Sequence, residues 1–202
     1  MKQAYPQVIL ASASSYKKDL LTRLKIEFSI VPANIDESIA KHEAPKQAAL
    51  RLAREKALTV ARQVSPQSCI IIGCDQVAYL DDDKNEPFLG KPGSTENAKK
   101  QLKRASGRNV HFFTAFYMLE TASGEHREGC DETRVQYRKL SETDIDYYLD
   151  NENALDCAGS AKVEGLGISL LEEVSTKDPT ALIGLPLIQV SQALTEMKNC
   201  KP

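Results

Sequence analysis

The chain has 202 residues, 42% of them hydrophobic and 27% charged, with a formal net charge of -2 at pH 7. That length supports one well-buried core and the expectation of a single domain over residues 1–202, while the balance excludes a disordered chain or a bundle of membrane spans. The near-neutral charge argues against a broad nucleic-acid surface, which takes a basic excess, and leaves room for a local cationic cluster around a small anion.

Five cysteines, Cys69, Cys74, Cys130, Cys157 and Cys200, form no CxxC pair and are odd in number, which fits free thiols in a reducing, cytoplasmic setting. His42, His111 and His126 are scattered, so no structural zinc site is expected. The opening MKQAYPQVILAS runs directly into a charged helical pattern without a long signal-type apolar core, and it reads as a first strand over Val8 to Leu10.

After the serines from Ser12 to Ser15, Leu20, Leu21 and Leu24 recur on one face of a helix. Phe28 to Val31 reads as a second strand. Pro45 to Val64 reads as a long helix carrying Ala49, Leu52, Ala53, Lys56, Ala57, Val60 and Ala61 at helical spacing. The continuous apolar run CIIIG, Cys69 to Gly73, is typical of a strand covered on both faces. Val77 to Leu80 and Phe88-Leu89 then flank the acidic turn DDDKNEP, a hairpin-like excursion before a helix over Thr95 to Ser106. Val110 to Glu120 and Glu132 to Leu140 read as an antiparallel pair around ASGEH. SETD, Ser141 to Asp144, has the capping-box form that opens a helix. Gly167 to Val174 reads as a returning strand, and Pro186 sits in the first turn of a terminal helix LIQVSQALTEMK. The sum is a mixed α/β sheet flanked by helices, with neither GxGxxG nor GxxxxGK[ST] to mark a familiar phosphate loop.

Several short segments carry chemistry. Ser12 to Ser15 before Lys17 and Lys18 offers hydroxyls, free N–H groups at a helix start and two cations, the parts of an anion cradle. A serine that merely caps the helix explains the same residues. Asp75 follows the apolar run, so it is expected at the carboxyl end of a buried strand, where it can hold a divalent cation, deprotonate a water or simply organise the turn. Lys91, between Gly90 and Pro92, can present a point charge to a phosphate, although turn chemistry accounts for its neighbours. Asp36-Glu37 offers further carboxylates or a plain acidic turn. Lys56 lies within an apolar helix face, from which a lysine ordinarily snorkels outward.

Taken together, LASASSYKKDLL, IDES, LAREKA, IIIGCDQV, LGKP, an SG before a strand and GLPL resemble the Maf-like family of nucleotide pyrophosphatases, from Val8 to about Leu187. The resemblance implies a mixed α/β fold related to inosine-triphosphate pyrophosphatases, a nucleotide substrate, a Mg²⁺ or Mn²⁺ cofactor, no nucleic-acid or membrane partner and a homodimer. It implies that Asp75 is the proton acceptor, that Ser14, Lys17, Lys56 and Lys91 bind phosphate, and that Glu37 with Asp75 holds the metal. Here Ser15 stands where the family loop has Pro, and Lys17 where it has Arg. Lysine keeps the charge but not the bidentate fork.

Base specificity in the family varies at the positions of Tyr16, Gln76 and Glu164. CDQV, CAGSAKVEGLGISL and DPTALIGLPL are similar to the subgroup acting on 7-methyl-GTP, whose methylated base is cationic and suits an aromatic ring and a carboxylate. The alternatives are the same reaction on dTTP, UTP or inosine-type nucleotides, and a non-catalytic nucleotide-binding regulator of septum formation.

Overall fold

The structure is a computed structural model that describes residues 7–40, 42–64, 68–80, 82–83 and 85–197. The first six residues, Asp81 and Lys84 of the acidic turn, Lys198 at the end of the expected terminal helix, and Cys200 lie outside them.

Strand β1 is Gln7–Leu10, and Ser14 in extended conformation caps helix α1, Ser15–Thr22, whose Leu20 and Leu21 are buried. Strand β2 is Phe28–Ile30. Helix α2, Pro45–Val64, buries Ala48, Ala49, Leu52, Ala53, Lys56, Ala57 and Val60, residues three and four apart that form one face. Strand β3, Cys69–Tyr79, runs six residues beyond the apolar run. Both β2 and β3 lie parallel to β1, with Val8 opposite Phe28 on one side and Ile70 on the other.

Helix α3 is Thr95–Ala105, capped by Ser94, and strands β4, Asn109–Glu120, and β5, His126–Tyr137, are joined by a five-residue turn. The expected capping box is present: Ser141 accepts from the Asp144 N–H and Asp144 accepts from the Ser141 N–H, opening helix α4, Glu142–Asn151. Strand β6, Leu171–Ser175, pairs antiparallel with β5, and helix α5 is Leu187–Glu196. The strand order is β2-β1-β3-β4-β5-β6, a mixed six-stranded sheet flanked by helices as expected.

Several boundaries differ from expectation, among them the end of β5, at Tyr137 rather than Leu140. The run that seemed to end at Gly73 continues as β3, because the polar side chains after it find buried partners and Val77 and Ala78 resume the apolar pattern. β5 starts at His126 rather than Glu132. Its buried positions include Asp131 and Thr133, which disguise the alternation. The expected strand from Gly167 begins only at Leu171, since Gly165 and Gly167 both donate to the Lys162 carbonyl and Leu166–Leu170 coils into a 3₁₀ turn. Pro186 is the N-cap of α5 rather than part of its first turn.

The chain forms two compact units. One comprises Met1–Asp75, Thr114–Cys130 and Gly184–Pro202; the other comprises Gln76–Phe113 and Asp131–Ile183. The second has its own apolar cluster, including Leu102, Phe112, Val135, Tyr137, Ile145 and Tyr148. Among the described residues no helix is long and apolar enough to cross a membrane.

Candidate active site

In the first unit, three sequence-selected residues meet at one ammonium group. Lys56, buried on α2, makes an ion pair with Asp75 of β3 and another, 2.7 Å long, with Glu37 of the loop after β2. Lys56 therefore does not snorkel; it turns into the protein because two carboxylates receive it. Burial disfavours its charge, but the Coulombic pull and hydrogen bond of Asp75, followed by those of Glu37, outweigh that and raise its pKa above the ordinary lysine value. Asp75 is itself only 7% exposed and lies inside the strand, not at its carboxyl end. A carboxylate held there beside a cation is orientated by its partner, whereas one on a flexible turn would have to be ordered on each encounter.

The approach of α2 to β3 sets this geometry. A Cβ on Gly73 would lie 2.1 Å from the Ala53 carbonyl oxygen and 2.7 Å from the Ala57 nitrogen, so the helix backbone rests directly on the strand one turn from Lys56. Gly73→Ala must push the two apart. It is expected to lose about 1–3 kcal/mol of stability, the usual cost of overpacking, and turnover with it. Chemical denaturation and an activity assay on the same preparation check both.

Glu37 is placed by its neighbours. The Asp36 carboxylate accepts from the Ser38 N–H and hydroxyl, each at 2.9 Å, and these bonds hold its pKa below the ordinary carboxylate value. Asp36 thus organises the turn and leaves Glu37 to reach Lys56. Arg51 of α2 donates to the Ser38 carbonyl at 3.0 Å while bound bidentately to Glu43, fastening this loop to the helix. Nothing in the sequence singled out Arg51, which also pairs with Glu55 one helical turn on.

The serine loop precedes α1 in the same unit. Ser14 accepts from the Lys17 N–H at a long 3.5 Å, and the Lys17 ammonium reaches the Cys74 carbonyl, also at 3.5 Å, immediately before Asp75. Ser14 thus caps the helix, as the plainer of the two readings of this loop has it, while the Lys17 ammonium turns to the main chain beside Asp75. Ser15 is exposed, and Tyr16, on the first turn, is half-buried. Cys74 is fully buried, and burial pushes its thiol pKa up.

The remaining candidates belong to the second unit. Gln76 donates both amide hydrogens to the main chain, to the Ala181 and Leu182 carbonyls at 3.0 Å each. Lys91 is exposed and has no side-chain partner among the described residues. Glu164 is exposed at the tip of a tight turn.

A divalent cation could be served by Glu37 and Asp75, two hard oxygen donors already gathered around a positive charge. Among the described residues no three His, Cys, Asp or Glu side chains form a ready cage. Two carboxylates are what a Mg²⁺ type of site takes, completing its shell with water and substrate phosphate.

The description of the Maf-like protein family matches residues 7–197. A protein of Xanthomonas oryzae pv. oryzae named 7-methyl-GTP pyrophosphatase is 48% identical over 193 residues, covering 95% of this chain and 96% of its own. One of the same name from Ralstonia nicotianae is 46% identical over 189 residues, 94% of each chain. Among solved structures, the Ham1 protein of Staphylococcus aureus gives a TM-score of 0.47 at 14% identity, over 65% of this chain and 71% of its own, a likeness too partial to bear on the fold. The match along nearly the whole length, in sequence, is what places the protein: the chain belongs to the Maf-like family.

Proposed function

We propose that the protein is a nucleoside-triphosphate pyrophosphatase that converts 7-methyl-GTP to 7-methyl-GMP and pyrophosphate. The observation that carries the chemistry is Asp75, a buried carboxylate fixed by Lys56 beside the serine loop. The base preference is supported by the activity for which the relatives are named and by Glu164, a carboxylate suited to a cationic methylated guanine.

Water attacks the α-phosphorus, its proton passes to the Asp75 carboxylate, the new O–P bond forms, and the bond to the β-phosphate oxygen breaks to release pyrophosphate. Lys56 holds Asp75 and Glu37 in place, and its charge adds to that of Lys17 in offsetting the triphosphate, while Lys91 keeps the phosphate-binding role that the family resemblance gives it. Ser14 and the N-terminal turn of α1 receive phosphate oxygens. A divalent cation, Mg²⁺ or Mn²⁺, held by Glu37 and Asp75, supplies Lewis-acid stabilisation of phosphate charge. Tyr16, Gln76 and Glu164 select the base, Gln76 through the main chain it holds. Such an enzyme works in the cytoplasm, with a small nucleotide as its partner.

The test is pyrophosphate release from 7-methyl-GTP, GTP, dTTP, UTP and ITP with Mg²⁺ or Mn²⁺. The expected result is preference for 7-methyl-GTP. Preference for dTTP or UTP would transfer the assignment to the other specificity class, and saturable binding without release would leave a nucleotide-binding regulator.

A further inference from the structure

The turn that carries Glu164 is built with unusual care, wholly within the second unit. Gly165 and Gly167 both donate their N–H to the Lys162 carbonyl, at 3.1 and 3.0 Å, closing the chain around Glu164. A Cβ on Gly167 would lie 2.5 Å from that carbonyl oxygen and 2.7 Å from the Lys162 nitrogen, so the turn closes this tightly only with glycine there. The Lys162 N–H donates to the Tyr148 hydroxyl at 3.0 Å.

One side chain ties this turn to the end of α4. Glu152, largely buried, accepts from the Lys162 ammonium at 2.9 Å with one carboxylate oxygen and from the Leu166 N–H at 3.0 Å with the other. Both ends of the turn are thereby fixed to one carboxylate. Glu164 at the tip makes no hydrogen bond or ion pair among the described residues, although Lys162, two residues away, feels its charge through space. The cation best placed to neutralise Glu164 is occupied by Glu152.

We propose that Glu152 is a positioning residue for base selection: it fixes the Lys162–Gly167 turn and sequesters the Lys162 ammonium, so that the Glu164 carboxylate stays unpaired and available to a positively charged nucleobase. The inference rests on the reading of Glu164 given above. It requires no contact between Glu152 and substrate. Without the Glu152 charge, Lys162 swings to Glu164, forms the short-range pair, and cancels the feature that separates a cationic base from a neutral one.

The experiment compares kcat/KM for 7-methyl-GTP and GTP in the full chain and in Glu152→Gln, Glu152→Gln with Lys162→Met, Lys162→Met and Glu164→Gln. Glutamine keeps the acceptor for the Leu166 N–H but releases the lysine. Glu152→Gln is expected to lower the 7-methyl-GTP to GTP ratio about tenfold, with kcat on GTP within about twofold of the parent. Adding Lys162→Met is expected to restore most of the ratio, a recovery that a purely structural role would not give. An unchanged ratio in Glu152→Gln, alongside a collapse in Glu164→Gln, overturns this inference and leaves the base reading standing. An unchanged ratio in Glu164→Gln overturns both. Loss in Glu152→Gln without recovery in the double variant reduces Glu152 to a structural role and also overturns the inference. Should Glu152→Gln fail to fold, Lys162→Met alone decides: the ratio is expected to hold or rise, and a fall overturns the inference.

Discussion

Asp75→Asn is expected to reduce turnover on the preferred nucleotide by at least about 100-fold, the lower end of what a positioned general base contributes, while nucleotide binding survives. Asparagine matches the shape of the carboxylate and can still accept from Lys56, but it takes no proton from water at neutral pH. Loss of rate with retained binding is therefore the signature of a missing base, whereas a collapsed pocket would lose both. Single-turnover pyrophosphate release, with binding measured separately by calorimetry, resolves the two. Turnover within threefold of the parent would sink the assignment and shift attention to Glu37, the other carboxylate on the same ammonium.

Lys56→Met is expected to destabilise the protein by about 3 kcal/mol in low-salt, metal-free buffer at neutral pH, because it leaves the Asp75 carboxylate buried without its cation. Glu37 suffers less, being half exposed and able to turn to water. The pH dependence of the native pair has a definite sign. Since the lysine pKa is raised in the folded state, the stabilisation is fully present below the ordinary lysine value and is lost only as pH climbs through the higher folded one. Denaturant titrations of parent and variant should differ most between neutral and moderately alkaline pH and converge at strongly alkaline pH. A variant as stable as the parent at neutral pH would mean that water reaches Asp75 and that the pair contributes little.

Most of the architecture was legible because apolar periodicity and capping chemistry are local. Pro45–Val64, Ser141 with Asp144 and the CIIIG run each announce an element within a few residues. The cluster of Glu37, Lys56 and Asp75 was legible only as separate parts. A lysine on an apolar helix face has a common explanation, outward snorkelling, and only the arrival of Glu37 and Asp75 from distant segments reverses it. The same blindness hid the length of β3, where Asp75 and Gln76 resemble a strand end until their partners are seen. Glu152 was hidden more completely. It sits in an acidic stretch that reads as solvated helix end, and the close spacing of Gly165 and Gly167 was the one local hint of a constrained turn beyond it.

The first unit is assembled from three stretches of chain, and the last brings α5, whose Leu187, Val190, Ala193 and Leu194 are buried. A nascent polypeptide that has already synthesised Lys56 and Asp75 thus still lacks a whole apolar helix face of the unit that holds them, and it must wait for more than a hundred further residues. Domains ordinarily mature in order as they leave the ribosome; this unit cannot. The interval exposes apolar surface to aggregation and gives chaperones a defined window, and a message truncated before α5 would yield a chain with every residue of the Glu37, Lys56 and Asp75 cluster and no finished scaffold to hold it.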